Sequence, residues 1–193
     1  MSDVLLLLPG LIIGVTVHEY SHGLAARLLG DRFAQSQGRL TLNPLAHLSL
    51  LGLAALFVLG FGWARPVPIN PYNFRRPRRD MALVAIAGPL SNIIIASAML
   101  PLLPVLHGVW LAMAIRVTYM NVILACVNLL PIPPLDGSRL LQLFLPRLNL
   151  GLPRWVSYGW IIVLIIAVRL NVLSGFLQAV VNLVNRVVAS VLT

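Results

Sequence analysis

The chain is 193 residues long, with 59% hydrophobic residues, 10% charged residues and a mean hydropathy of +0.92. Soluble domains carry about 25% charged residues, so this composition excludes a water-soluble globule, and it is far too apolar for a disordered chain. The charge is one-sided: fourteen Arg, no Lys and five acids give +9, and Glu19 is the only Glu.

The length allows one domain over residues 1–193 and at most about six spans of about 20 residues each. The first apolar stretch, Val4 to Leu29, is interrupted by His18, Glu19, His22 and Arg27, and lacks the basic leader of a signal peptide. Asp31 to Pro44 follows as a loop, in which Arg39-Leu40-Thr41-Leu42 alternates and suggests a short strand. The second stretch, Leu45 to Trp63, has no formal charge but contains His47, Gly52, Gly60 and Gly62. Ala64 to Pro77 holds Pro66, Pro68, Pro71 and Pro77 and must be extended. Five arginines from Arg65 to Arg79 mark this loop as cytoplasmic, beside anionic headgroups. A basic nucleic-acid module needs a soluble face to present its cations, so nucleic acid is not a partner.

The third stretch, Met81 to Leu103, contains Gly88-Pro89 and Asn92. The fourth, Val109 to Leu130, carries Arg116, Asn121, Cys126 and Asn128, and a lone cysteine forms no intrachain disulfide. The fifth, Trp155 to Leu173, opens on Trp155, Tyr158 and Trp160 and ends near Arg169, as interface anchors would be placed. From Ser174 to Thr193, polar Ser174, Gln178, Asn182, Arg186 and Ser190 recur every four residues. This last helix either lies in the interface or forms a sixth span with its stripe against a neighbour, and the stripe offers a face for a homo-oligomer. The expected fold is an all-α polytopic membrane protein of five to six transmembrane or re-entrant helices. A short β-strand or extended loop element lies near the site. The catalytic core covers about residues 4–145, C-terminal helices about 155–193, and the length leaves no room for a soluble accessory domain.

The chemistry concentrates in His18-Glu19-Tyr20-Ser21-His22, an H-E-x-x-H on a helix. Residues four apart share a face, so both imidazoles can reach one metal ion, and the adjacent Glu can take a proton from a water the metal acidifies. Chance gives this pattern in about 4 × 10⁻⁴ of chains of this composition. Three ionisable groups within a spanning helix are costly and mark function. Catalytic zinc takes three protein ligands, and His47, His107 and Asp136 are candidates for the third. Asp136 is the best placed. It follows Asn128-Leu129-Leu130-Pro131-Ile132-Pro133-Pro134-Leu135, where three prolines break the fourth span and free backbone groups that must face protein or a wet cavity. The other reading of Asp136 is a cap on the helix that follows.

Together, H-E-x-x-H in one membrane helix and N-x-x-P-x-P-x-L-D-G in a later one resemble the site-2 proteases, the zinc intramembrane metalloproteases. Asn43-Pro44-Leu45-Ala46-His47, Trp63 to Pro71 and Ala87-Gly88-Pro89-Leu90-Ser91-Asn92 extend the likeness from about Val4 to Leu145. The pattern is that of the compact branch without PDZ or CBS domains. The resemblance implies one zinc ion per chain, held by His18, His22 and Asp136, with Glu19 as general base. His47, Asn92 and Asn128 are candidates for substrate binding or for orienting ligands. Val127 stands where an aromatic often precedes the Asn, and Ser49 stands where related members carry an acid.

The implied reaction is hydrolysis of peptide bonds within or near transmembrane segments of membrane proteins. The partners are then a transmembrane-helix substrate and the lipid bilayer, in a prokaryotic inner membrane. A metal transporter would need ionisable groups spaced along several spans, and an inactive relative would not need Glu19. Topology poses a conflict. If Leu45 to Trp63 crosses fully, the loop at Asp31 to Pro44 lies opposite the Arg-rich loop. The resemblance puts both beside the cytoplasmic end of the catalytic helix, which a re-entrant second segment would reconcile.

Overall fold

The computed structural model describes residues 2–59, 62–145 and 170–193, with residues 159, 162, 163, 166 and 167 between. Helix α1 covers Ser2–Leu28, and α2 is a single turn at Phe33–Ser36. The remaining helices are α3 Leu50–Leu59, α4 Pro77–Met99, α5 Gly108–Asn128, α6 Asp136–Phe144 and α7 Ser174–Leu192. The expected span at Trp155 to Leu173 falls largely outside the described residues.

Leucine and alanine, both strong helix formers, favour α1 at either end. A Schellman-type turn stops it, with Asp31 N donating to Ala26 O at 2.9 Å. Pro77 starts α4, where its missing amide costs nothing, and the Asp80 carboxylate reaches back to accept from Arg76 N at 3.0 Å. Beyond Met99, Pro101 and Pro104 cannot continue an α-helix, and the chain tightens into a 3-10 turn over Leu100–Val105.

Helices α1, α4 and α5 pack on one another and form the body of the molecule. Small residues let α1 lie close to α5: Gly10 sits against Val117, and Gly14 one turn later sits against Asn121. Helix α6 packs on α4, while α7 docks on α5 and the 3-10 turn. The α7 contact is a row of Val180, Val184 and Val188, with Val184 and Val188 closing on Leu103 and Ala114. A second cluster of Ala26, Phe74 and Val84 ties the end of α1 to α4 and the Pro-rich loop.

Three stretches among the described residues are long and apolar enough to cross a membrane: Pro77–Val105, Gly108–Asn128 and Ser174–Leu192. The expected polar stripe on α7 is exposed rather than buried against another described helix, and Gln178 Nε2 donates to Asn182 Oδ1 within it at 3.1 Å.

Two expectations need correction, and one open choice narrows. Of the two readings of Leu45 to Trp63, crossing or re-entrant, the described residues favour the second. The segment's α-helical part, α3, has ten residues, about 15 Å of rise against a hydrocarbon core of about 30 Å. The chain also returns to where it left: Leu48 and Ala64 form an antiparallel bridge, and Arg65 N donates to His47 O at 2.8 Å. The flanking loops meet directly, with Asn73 Nδ2 donating to Asp31 Oδ1 at 2.6 Å. The segment is a hairpin.

The strand expected at Arg39 to Leu42 is absent, and no strand occurs among the described residues beyond that isolated bridge. Its natural partner would be residues 65–68, where Pro66 and Pro68 have no amide to donate. Side chains join the loops instead. Arg39 Nη2 donates to Arg65 O at 2.9 Å and to Pro66 O at 3.2 Å. The expectation that Ala64 to Pro77 is extended fails at Pro71–Asn73, a 3-10 turn that Asn70 Oδ1 caps by accepting from Tyr72 N, and at Pro77, which opens α4; residues 65–70, beside the site, form neither helix nor strand.

Candidate metal centre

His18 and His22 lie one turn apart on α1, both buried, and Asp136 is the first residue of α6. The three prolines between Asn128 and Asp136 end α5 and turn the chain so that α6 starts against it. Gly137 makes that turn possible, because a Cβ there would lie 2.2 Å from Leu129 O. Asp136 thereby faces the two imidazoles from the opposite side. His18 Nε2 and His22 Nε2 are 3.0 Å apart, and Asp136 Oδ2 is 3.1 Å from the first and 3.3 Å from the second.

This triangle suits a tetrahedral zinc site, whose N and O ligands at 2.0–2.1 Å stand about 3.3 Å from one another. The bonding supports the fit. Asp136 Oδ2 is buried and has no hydrogen-bond partner among the described residues. Each histidine spends its other nitrogen on an acceptor, His18 Nδ1 on Asn92 Oδ1 at 2.6 Å and His22 Nδ1 on Val84 O at 2.7 Å. Both Nδ1 atoms therefore carry the proton in the neutral rings, and both Nε2 lone pairs point into the triangle. These three residues are the only such cluster of His, Cys, Asp and Glu among the described residues.

Helix α4 supplies the support. Gly88 lies against both rings, and a Cβ there would fall 2.5 Å from His22 Nε2 and 2.7 Å from His18 Cε1. The next residue, Pro89, cannot donate to Ala85 O, so the helix is loosened beside the Val84 carbonyl that holds His22. Asn92 is fully buried, and its Nδ2 donates to Gly14 O at 3.0 Å and to Asn121 Oδ1 at 2.9 Å. Asn121 Nδ2 closes the chain on Val117 O at 2.9 Å. A continuous relay of amides thus connects α5 through α4 to His18.

Glu19, buried beside the two ligands, accepts from Val67 N at 2.8 Å, so the Pro-rich segment passes directly over it. The segment is anchored on the other side by Arg39, whose guanidinium burial and the neighbouring Arg65 push below its usual value.

His47 stands apart from the cluster of His18, His22 and Asp136. It is fully buried, and its Nε2 sits 2.7 Å from Thr41 O, where it braces the loop. His107 is exposed at the start of α5. Asn128 is half-buried and donates to Leu124 O at 2.9 Å, away from the histidines. Sequence reasoning gave no role to Asn121, Asp31, Val84 or the Val67 amide. A buried amide in an apolar helix was the available sign for Asn121. The two backbone groups carry no sign in the sequence at all.

A family model described as Peptidase family M50 matches residues 106–170. YwhC of Bacillus subtilis, which bears the name of a zinc metalloprotease, is 40% identical over 170 residues, covering 82% of this chain and 78% of its own. Rip2 of Mycolicibacterium smegmatis is 28% identical over 174 residues, 85% of this chain and 67% of its own. MJ0611 of Methanocaldococcus jannaschii is 30% identical over 131 residues, 67% of this chain and 65% of its own. Both bear the same kind of name. No solved structure gives a match. With the H-E-x-x-H and the distant Asp brought to one point, and 40% identity across most of YwhC, this chain belongs to peptidase family M50, the site-2 proteases.

Proposed function

We propose that this chain is a zinc-dependent intramembrane endopeptidase that hydrolyses peptide bonds within or near transmembrane segments of other membrane proteins. The observation that carries the reading is the buried triangle of His18, His22 and Asp136 with Glu19 beside it, inside a bundle of apolar helices. Zinc, when bound by those three residues, supplies a Lewis acid that polarises the scissile carbonyl and acidifies water.

The chain's own residues do the rest. Glu19 accepts the proton of the attacking water and passes it to the leaving amine. The Val67 amide holds the Glu19 carboxylate in one orientation. Asn92 and Val84 O keep both imidazoles in the tautomer that binds metal. A helical substrate must unwind before its amides are accessible, and the unwound strand needs backbone partners. The Pro-rich segment offers them by edge pairing: among the described residues, Ile69 N and the carbonyls of Val67 and Ile69 have no partner. Asn128 Oδ1, with no hydrogen bond among the described residues, is suited to a substrate amide.

The membrane arrangement follows from the same helices. Helix α1, 27 residues or about 40 Å long, has the length to span beside α4, α5 and α7, and the paired ends of the hairpin through α3 support a re-entrant segment. The Arg-rich loop supports a cytoplasmic position for both flanking loops in a prokaryotic cell. A transporter would need further metal-ligating clusters along a path, and no second group of three His, Cys, Asp or Glu residues occurs among the described residues. The deciding experiment is cleavage of a transmembrane reporter peptide by purified protein, with zinc content measured alongside. Wild type should cleave, and Glu19→Gln should keep zinc while losing cleavage by at least 10³-fold, on the order expected for a general base. Cleavage by Glu19→Gln at the wild-type rate would refute the reading.

A further inference from the structure

Asp31 is fully buried, yet it binds no metal and has no Arg, Lys or His ion-pair partner among the described residues. Its Oδ1 accepts from Phe33 N at 3.0 Å and from Asn73 Nδ2 at 2.6 Å, and its Oδ2 accepts from Asn70 N at 2.7 Å. A buried carboxylate held only by amides is costly to maintain. Two of its three bonds reach about forty residues ahead, into the Pro-rich segment. That segment is therefore pinned to the α1 region twice, at Asn70 by Asp31 and at Val67 by Glu19. The pins are three residues apart, about 10 Å of extended chain. Among the described residues, the Val67 carbonyl and the amide and carbonyl of Ile69 have no backbone partner. Pro66 and Pro68 have no amide, so within 66–69 only Val67 and Ile69 can donate. Residues two apart in an extended chain face the same way, which puts the Ile69 amide on the Glu19 side.

We propose that Asp31 is a register pin, a positioning residue that fixes where the Pro-rich segment lies against Glu19 and so which substrate bond meets the base. This rests on the proteolytic reading above. A strand paired to Val67 and Ile69 takes its register from them, and a slip of two residues presents the same face with a different bond at the metal centre. Without the Asn70 and Asn73 bonds, the segment keeps its polar ties upstream, to Glu19, Arg39 and His47, but loses those downstream of Val67, and the register loosens.

The test is Asp31→Asn, which replaces one acceptor oxygen by a donor facing donors. Zinc per chain should stay at the wild-type value, kcat on the reporter should fall about tenfold, and mass spectrometry should find new products cut two residues to either side. In the metal-free protein, hydrogen exchange over residues 64–73 should accelerate. Val67→Pro removes the other pin, and its effect should not multiply with that of Asp31→Asn, because both act through one segment. A single wild-type cleavage bond at the wild-type rate in Asp31→Asn overturns the proposal, as does loss of zinc or a fully multiplicative double variant. Should Asp31→Asn fail to fold, Asn73→Ala removes one bond of three and must still redistribute the products. An unchanged single bond there also refutes the pin. Cleavage by wild type but not by Glu19→Gln tests the proteolytic reading separately, so normal cleavage in the Asp31 variants would remove only the pin.

Discussion

Each histidine of the metal triangle is fixed by a bond made on its far side, and the consequences differ from residue to residue. Asp136→Ala removes one of the three proposed ligands, so zinc retention after dialysis should fall clearly and cleavage with it. Were Asp136 only an acid in the first turn of α6, where Leu135 and not Asp136 is the N-cap, zinc would stay and a stability loss of about 0.3–1 kcal/mol would be the whole effect. Asn92→Ala leaves every ligand in place but strips His18 Nδ1 of its acceptor and cuts the amide relay to Asn121. Zinc affinity, measured by chelator competition, should drop about 10- to 100-fold, the usual cost of losing such a partner. An unchanged affinity would show that His18 needs no outside orientation. His18, Glu19 and His22 were legible in the sequence because they sit in five consecutive residues of an apolar helix. Asp136 was legible because prolines announce a broken helix before it. Asp31 and Val67 were not, since their partners lie 39 to 48 residues away and two of the groups involved are backbone amides.

Among the elements, α4 carries more of the site than its sequence suggests, since it supplies no ligand. It brings the Val84 carbonyl and Asn92 to the two histidines, and Gly88 lets its backbone press against both rings. Gly88→Ala places a methyl 2.5 Å from His22 Nε2, and both imidazoles are tied at their far sides and cannot retreat freely. Zinc content should fall at least tenfold while the helix itself, gaining a better helix former, stays folded by circular dichroism. Full zinc loading would mean that α4 can shift outward. The positions of α1, α4 and α5 were readable from long apolar runs bounded by Pro, Gly and polar residues. The strand at Arg39 to Leu42 was misread because alternation reports which face is apolar and says nothing about whether a partner can donate. Here the facing chain carries Pro66 and Pro68, and Arg39 takes the Arg65 and Pro66 carbonyls with its side chain.

Across the whole molecule, the hairpin through α3 brings the two loops that flank it together beside α1. An apolar run of nineteen residues from Leu45 to Trp63 has the length of a span, and length alone does not distinguish crossing from turning back. What distinguishes them is the pairing of the ends: the Leu48 to Ala64 bridge, the Arg65 to His47 bond, and the Asp31 carboxylate gripping Asn70 and Asn73. Those contacts hold the Asp31 to Pro44 loop and the Arg-rich loop together, and on the proposed arrangement both belong to one side of the membrane. Ser36 and Tyr72 sample the two loops without touching these bonds, and Tyr72 is 93% exposed. In a Cys126→Ala background, Ser36→Cys and Tyr72→Cys should therefore react with a membrane-impermeant maleimide only in inverted vesicles, both from the cytoplasmic face. Labelling of the two positions from opposite faces would mean that the segment crosses. The bonds of Asp31 to Asn70 and Asn73 could not then exist in the membrane, and the register pin would fall with them.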